Sequence, residues 1–380
     1  MRILILSCNT GEGHNSAARA IKEELDERNV ECIIEDTLSF ASESVSDTVS
    51  KIYVSMISYW PDLWGKIYES GKTISNSKTN LLKSPAYYAN TLYADKLYEY
   101  IAGGEFDAII MPHLYPGEAL TYIRSKYGLK TRLYMLSTDY APAPLFEELD
   151  VDRYFIPHRD LFANFVNRGI PSSKLTVTGI PVSRRFTEHL DKSEAREKLG
   201  LPKDAQIALI MGGSMGFGNI RTIVEDIAES APEVKQIIMG GNNERLKQEL
   251  RIALCENENV RILDFTKEVP LYMDAADLLF TKPGGLTSTE ACVKNIPILH
   301  TDPIPGNETE NIRFFETHGL SIPVNPENAA RIAVSLLKDE MRRDIMINAQ
   351  KREIIPDSAK RIADFVINDL NEIRLTGGMI

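Results

Sequence analysis

Lys282-Pro283-Gly284-Gly285-Leu286-Thr287-Ser288-Thr289-Glu290 follows an apolar run ending at Thr281, and Pro303-Ile304-Pro305-Gly306-Asn307-Glu308 comes about one helix and one strand later. A Gly-Gly turn from a strand into a helix start leaves backbone N–H groups without intrahelical partners, and such a start holds phosphate. Glu290, one turn into that helix, suits a sugar hydroxyl beside the phosphate better than the phosphate itself. The pattern points to a nucleotide with a ribose, next to a second loop able to hold another sugar. A plainer account stands beside it. Thr287-x-x-Glu290 has the spacing of a capping box, and Pro305-Gly306-Asn307-Glu308 reads equally as a turn capping a helix from Thr309 to His318.

Two more glycine loops follow strand-like runs. Met211-Gly212-Gly213-Ser214-Met215-Gly216-Phe217-Gly218-Asn219 has four glycines in seven residues, which suits a diphosphate, and it lacks the Gly-Lys-Ser/Thr of a P-loop. Gly11-Glu12-Gly13-His14-Asn15-Ser16 opens a helix with apolar Ala17, Ile21 and Leu25. It is only near Gly-x-Gly-x-x-Gly. A dinucleotide reading gains from Glu35 and Asp36 after the second strand, but His14 would crowd a pyrophosphate. His14 is either an idle exposed histidine in a tight turn or, at the top of an open α/β sheet, part of a ligand site.

These loops need sheets to position them. Short β-rich runs at 2–6, 30–34, 106–111, 132–137, 154–157 and 175–179 alternate with helix-period segments, and the rhythm restarts at 206–211, 234–239, 260–265, 277–281 and 296–301. Two parallel α/β domains in tandem are expected, 1–185 and 186–380, joined near Gly179-Ile180-Pro181-Val182. The end, from about 326 to 374, reads as mostly helical, and by analogy alone its last segment is expected to cross back to brace the first domain. A chain of 380 residues fits two domains, and a net charge of −11 disfavours nucleic acid, which demands clustered Lys and Arg. Cys8, Cys32, Cys255 and Cys292 form no Cys-x-x-Cys and no zinc spacing, so a reducing, cytoplasmic setting without a structural metal is expected. No run reaches the roughly 18 apolar residues of a spanning helix.

One insertion breaks the rhythm, from Ser44 to about Tyr100. It holds Trp60, Trp64 and eight of the fifteen tyrosines, and within 51–100 six Lys face four acidic residues. That is the composition of a water–lipid interface, and equally of a helical flap packing its rings on the first domain.

These motifs together resemble the glycosyltransferases that make monogalactosyl- and glucosyl-diacylglycerol, and more distantly the lipid-linked muramyl N-acetylglucosaminyltransferases. The resemblance runs through Gly11-x-Gly13-His14-x-x-Ala17-Ala18, Thr138-Asp139-Tyr140, Gly179-Ile180-Pro181-Val182 and the three loops of the second half. Glu12 replaces a family glycine, Asn307 stands where Gln is usual, and Ala141 to Phe146 replace a His and Trp after Thr-Asp-Tyr. The resemblance implies a GT-B fold, two Rossmann-like domains facing a cleft, with the lipid acceptor on the first and a UDP-sugar on the second. It implies inverting transfer of a hexose, with no metal or cofactor. His14 is then the general base, with Asp139 its rival or its orienting group. Gly213, Ser214, Gly216, Lys282, Gly284, Gly285, Leu286 and Thr287 would hold the diphosphate, Glu290 the ribose, and Gly306, Asn307, Glu308 and Asn311 the sugar side. A UDP-sugar 2-epimerase of the same architecture and a non-catalytic sugar-nucleotide sensor are the competing readings. If Trp60 and Trp64 make a peripheral contact with the cytoplasmic face of a membrane, binding to anionic vesicles will weaken with salt and on Trp60→Ala/Trp64→Ala. Co-sedimentation measures this, and no vesicle association by the wild-type chain would return the insertion to the flap.

Overall fold

The computed structural model describes residues 1–9, 11–42, 66, 83–212 and 220–376. Trp60, Trp64, Gly213, Ser214 and Gly216 lie outside them. Two compact units emerge, Met1–Arg184 with Pro305–Asn307 and Ile355–Ile380, and Arg185–Ile304 with Glu308–Ile354.

In the first unit the strands are β1 (Arg2–Ser7), β2 (Glu31–Asp36), β3 (Ala108–Met111), β4 (Arg132–Leu136), β5 (Arg153–Ile156) and β6 (Leu175–Val177). They pair in parallel in the order β2-β1-β3-β4-β5-β6. Helices α1 (Glu12–Glu27), α2 (Pro85–Asn90), α3 (Ala94–Gly104), α4 (Leu114–Tyr127) and α5 (Phe162–Asn167) lie between strands. The second unit contains β7 (Ile207–Met211), β8 (Lys235–Met239), β9 (Val260–Leu263), β10 (Leu278–Thr281), β11 (Ile298–His300) and β12 (Ile322–Pro323), ordered β12-β11-β10-β7-β8-β9 and again parallel. Its helices include α6 (Lys192–Leu199), α7 (Ile220–Ser230), α8 (Glu244–Ala253), α9 (Val269–Ala275), α10 (Gly285–Val293), α11 (Asn307–Thr317, whose first residue groups with the first unit), α12 (Pro326–Lys338) and α13 (Glu340–Glu353). The two-residue β12 was not expected, because Ile322-Pro323 is too short to carry a period.

The central strands of both sheets are continuous apolar runs because helices cover both faces, as in Ile3 to Leu6, each fully buried. In each sheet the winding reverses once, between β1 and β3 and between β7 and β10. At such a reversal the loops at the carboxyl ends of adjacent strands part, leaving a crevice for a ligand. The loop carrying His14 and the loop carrying Gly284 stand at these two places.

The expected second domain, 186–380, is shortened at its end. Helix α14 (Ser358–Leu375) belongs to the first unit, where Ile362, Ala363, Val366 and Leu370 join Ile3, Ile5, Ala17, Ile21 and Phe155 in one core. Its apolar stripe had to be buried, and α1 presents the matching face. Polar ties fix the register. Asp369 accepts from Tyr134 Oη at 2.6 Å and from Arg132 Nε at 3.0 Å, and Asp364 accepts from Arg28 Nε at 2.9 Å. Asp369→Ala would leave the Tyr134 hydroxyl and the Arg132 guanidinium without this carboxylate, and should destabilise the first unit by about 2–4 kcal/mol. Chemical denaturation reads this; a loss under about 0.5 kcal/mol would show that apolar packing alone holds the helix.

Candidate functional site

At the reversal of the first sheet, Ser7 at the end of β1 donates from Oγ to Asn15 Oδ1 at 2.6 Å, pinning the first turn of α1 to its strand. His14 in that turn is therefore held over the sheet's carboxyl edge. Its Nδ1 lies 2.8 Å from the carbonyl of Pro112, just after β3, and 3.2 Å from Thr138 Oγ1, after β4. A carbonyl can only accept, so Nδ1 carries the proton and the neutral ring keeps its lone pair on Nε2. The His113 ring meets that of His14 edge to face, with centroids 4.7 Å apart. His113 Nδ1 in turn accepts from the Tyr115 N–H at 3.2 Å, which caps α4.

Burial lowers the pKa of His14, while the charge of Asp139 and the Pro112 carbonyl oppose that fall. Burial, and then its neighbour His14, hold His113 well below the usual imidazole range. Two adjacent rings, both neutral, avoid a repulsion that one imidazolium would impose on the other. The structure thus brings His14 and Asp139 into one electrostatic unit, with Asp139 acting on His14 through its charge. Glu35 and Asp36, the acids that a dinucleotide reading would use, have other partners. Glu35 accepts from Tyr100 Oη at 3.0 Å, and Asp36 caps the turn at Leu38.

In the second unit, α10 begins at Gly285, with Gly284 as its N-cap and no side chain capping that end. The expected Thr287-x-x-Glu290 capping box is not formed, because the helix starts earlier, putting Thr287 inside its first turn and Glu290 in its second. The N–H groups of Gly285, Leu286 and Thr287 have no intrahelical acceptor at this end. An uncapped helix start of this kind is the arrangement a phosphate would need.

Lys282 pairs with Glu308 over Gly284, and the other Glu308 oxygen accepts from the Ile304 N–H at 2.9 Å. Glu308 therefore braces the loop after β11 against the loop after β10. Gly306 has φ +121°, a conformation that favours glycine over any residue with a Cβ. Asn311, expected among the sugar contacts, is fully buried and donates from Nδ2 to the Pro283 carbonyl at 3.0 Å. It ties the start of α11 to the loop after β10. Asn307 opens α11, and Asp302, Asn307 and Glu290 all have partners within the protein. Sequence reasoning named Thr138 only as part of Thr138-Asp139-Tyr140 and gave no role to it, to the Pro112 carbonyl or to His113, whose signal was its place directly after a strand-end Met-Pro.

Comparison with known proteins gives the class. The fold matches that of MurG from Acinetobacter baumannii (TM-score 0.65, 14% identity, covering 97% of this chain and 99% of that one) and that of the S. aureus MnaA–UDP structure (TM-score 0.66, 14% identity, 98% and 97%). Residues 191–353 match the glycosyl transferases group 1 model, and the chain is a glycosyltransferase of the GT-B fold. Residues 14–182 match the monogalactosyldiacylglycerol (MGDG) synthase model. Nearly full-length relatives are the processive diacylglycerol beta-glucosyltransferases of Staphylococcus carnosus (27% identity, 89% of this chain, 85% of the relative) and Staphylococcus haemolyticus (26%, 97% and 93%). Residues 14–182 are thus of the MGDG synthase type, in a chain similar along nearly all its length to these diacylglycerol glucosyltransferases.

A base with a lowered pKa stays deprotonated through neutral pH, so kcat/KM should hold its plateau there. It should fall only as the pH drops through a limb below the ordinary value of about 6.5. Asp139→Asn removes the charge that raises His14, so the acidic limb should move to still lower pH. A pH profile of both proteins checks the sign, and an upward or absent movement would uncouple the two residues.

Proposed function

We propose that this chain transfers a hexosyl unit from a UDP-sugar to the free hydroxyl of a diacylglycerol-type lipid at a membrane surface, with inversion. The observation that carries the catalytic part is the His14 ring, its proton fixed on Nδ1 by the Pro112 carbonyl and its lone pair on Nε2. The acceptor class is supported by the full-length relatives, whose names specify diacylglycerol and a β-glucosyl product, and glucose is accordingly the first sugar to try.

In the proposed step the acceptor oxygen attacks the anomeric carbon as its proton passes to His14 Nε2. The bond from that carbon to the UDP oxygen breaks, and UDP leaves with the electron pair. Asp139 stabilises the imidazolium so formed. The N–H groups of Gly285, Leu286 and Thr287 and the Lys282 ammonium meet the growing diphosphate charge, and Glu290 takes the ribose. Asn307 and Glu308 stand on the sugar side. Gly213, Ser214 and Gly216, which follow β7 in the sequence, are proposed as further diphosphate contacts. Among the described residues no helix is long and apolar enough to cross a membrane, so the lipid would be met from the surface.

Incubating the chain with diacylglycerol vesicles and UDP-glucose, UDP-galactose or UDP-N-acetylglucosamine should give a glycolipid mass matched mole for mole by released UDP. His14→Ala should lower kcat by roughly 10²–10⁴ while UDP still binds. An altered sugar nucleotide without glycolipid would favour the epimerase, and UDP binding with no turnover of any donor would favour the sensor.

A further inference from the structure

His300, the last residue of β11, is fully buried and takes no part in the chemistry above. Both ring nitrogens are engaged. Nε2 lies 2.9 Å from Ser288 Oγ, in the second half of the first turn of α10, and Nδ1 lies 2.9 Å from Ser321 Oγ, just before β12. Burial pushes its pKa down to about 3, so the ring is neutral at any working pH and offers one N–H and one lone pair. Serine hydroxyls can give or accept, so both contacts are satisfied in either tautomer.

The location gives these contacts a consequence. His300 stands opposite Thr281 in the β10–β11 ladder, and Thr281 immediately precedes the Lys282–Gly285 turn. Ser288, which the ring holds, is the residue whose backbone N–H closes the first turn of α10 on the Gly284 carbonyl, at 3.0 Å. Fixing Ser288 fixes the pitch of the turn presenting the N–H groups of Gly285, Leu286 and Thr287. The opposite side of the ring meets Phe315 of α11 at 5.2 Å, the helix that also carries Glu308 and Asn311. One imidazole therefore spans the start of α10, the far edge of the sheet and α11.

We infer that His300 is a positioning residue for the diphosphate cradle, setting the direction of the α10 N–H groups through Ser288 without touching the donor. The inference rests on the reading that those N–H groups bind the UDP diphosphate. A purely structural core histidine would contribute to stability and leave donor affinity alone, so the two roles separate in one experiment.

UDP binding by calorimetry and thermal unfolding are measured on the full chain and on His300→Phe, Ser288→Ala, the double variant and His300→Gln. The expected result is UDP affinity weakened on the order of tenfold in His300→Phe and in Ser288→Ala. The double variant should be no weaker than either single one, and His300→Gln should recover part of the loss through its amide. KM for the UDP-sugar should rise with the affinity loss. Ser288→Ala, a small change, keeps the test open if His300→Phe fails to fold. UDP affinity within twofold of wild type in the folded variants, whatever their melting temperatures, would overturn the positioning role. Failure of the wild-type chain to bind UDP would overturn the donor reading beneath it.

Discussion

The hydrogen bond from His14 Nδ1 to the Pro112 carbonyl joins residues 98 apart in the chain, and the first unit's chemistry hangs on it. It can form only if β1 and β3 are neighbours, which requires β2 to lie on the outer side of β1 and the chain to cross back over that strand. The crossing produces the reversal that opens the sheet's carboxyl edge. A backbone carbonyl is a well-chosen partner for a base. It selects the tautomer without offering a proton or changing charge with pH. Burial of the ring favours its neutral form, and the Asp139 carboxylate opposes that fall in basicity.

The second unit meets a different demand by a different means. A diphosphate must be received by many partial charges aimed in one direction, and the backbone supplies them only if it is held still. Here the hold is exerted from beneath and beside the loop: Asn311 on the Pro283 carbonyl, Glu308 on Lys282 and on the Ile304 N–H, and Asn311 wholly out of reach of solvent. Preorganised dipoles of this kind cost little reorganisation when charge develops.

Most strands were legible because buried parallel strands are written as apolar runs, and the glycine loops because such turns restrict residue choice; the strand order and its reversals were not. His14 stood out by place and type. What could not be read was carried by backbone atoms or by burial. The Pro112 carbonyl has no letter of its own. Thr287 and Glu290 had the spacing of a capping box, yet the helix began three residues earlier, with Gly284 as its N-cap, since spacing does not fix where a helix starts. The tie from buried Asn311 to the Pro283 carbonyl likewise has no letter in the sequence. Glu35 and Asp36 matched a ribose-binding position, and Tyr100 and the Leu38 turn claimed them.

Helix α14 gives the chain an order of assembly. The first sheet is synthesised early, yet the stripe Ile362, Ala363, Val366 and Leu370 that seals one side of its core follows the whole second unit in the chain. Until then the apolar face of α1 and the Arg132 and Tyr134 side chains wait without their cover. A nascent chain can complete the second unit while the first is still unsealed, reversing the usual course in which the N-terminal domain finishes first. The unit that carries His14 thus closes after the other one, and a chain broken off before Ser358 would lack the stripe that covers α1.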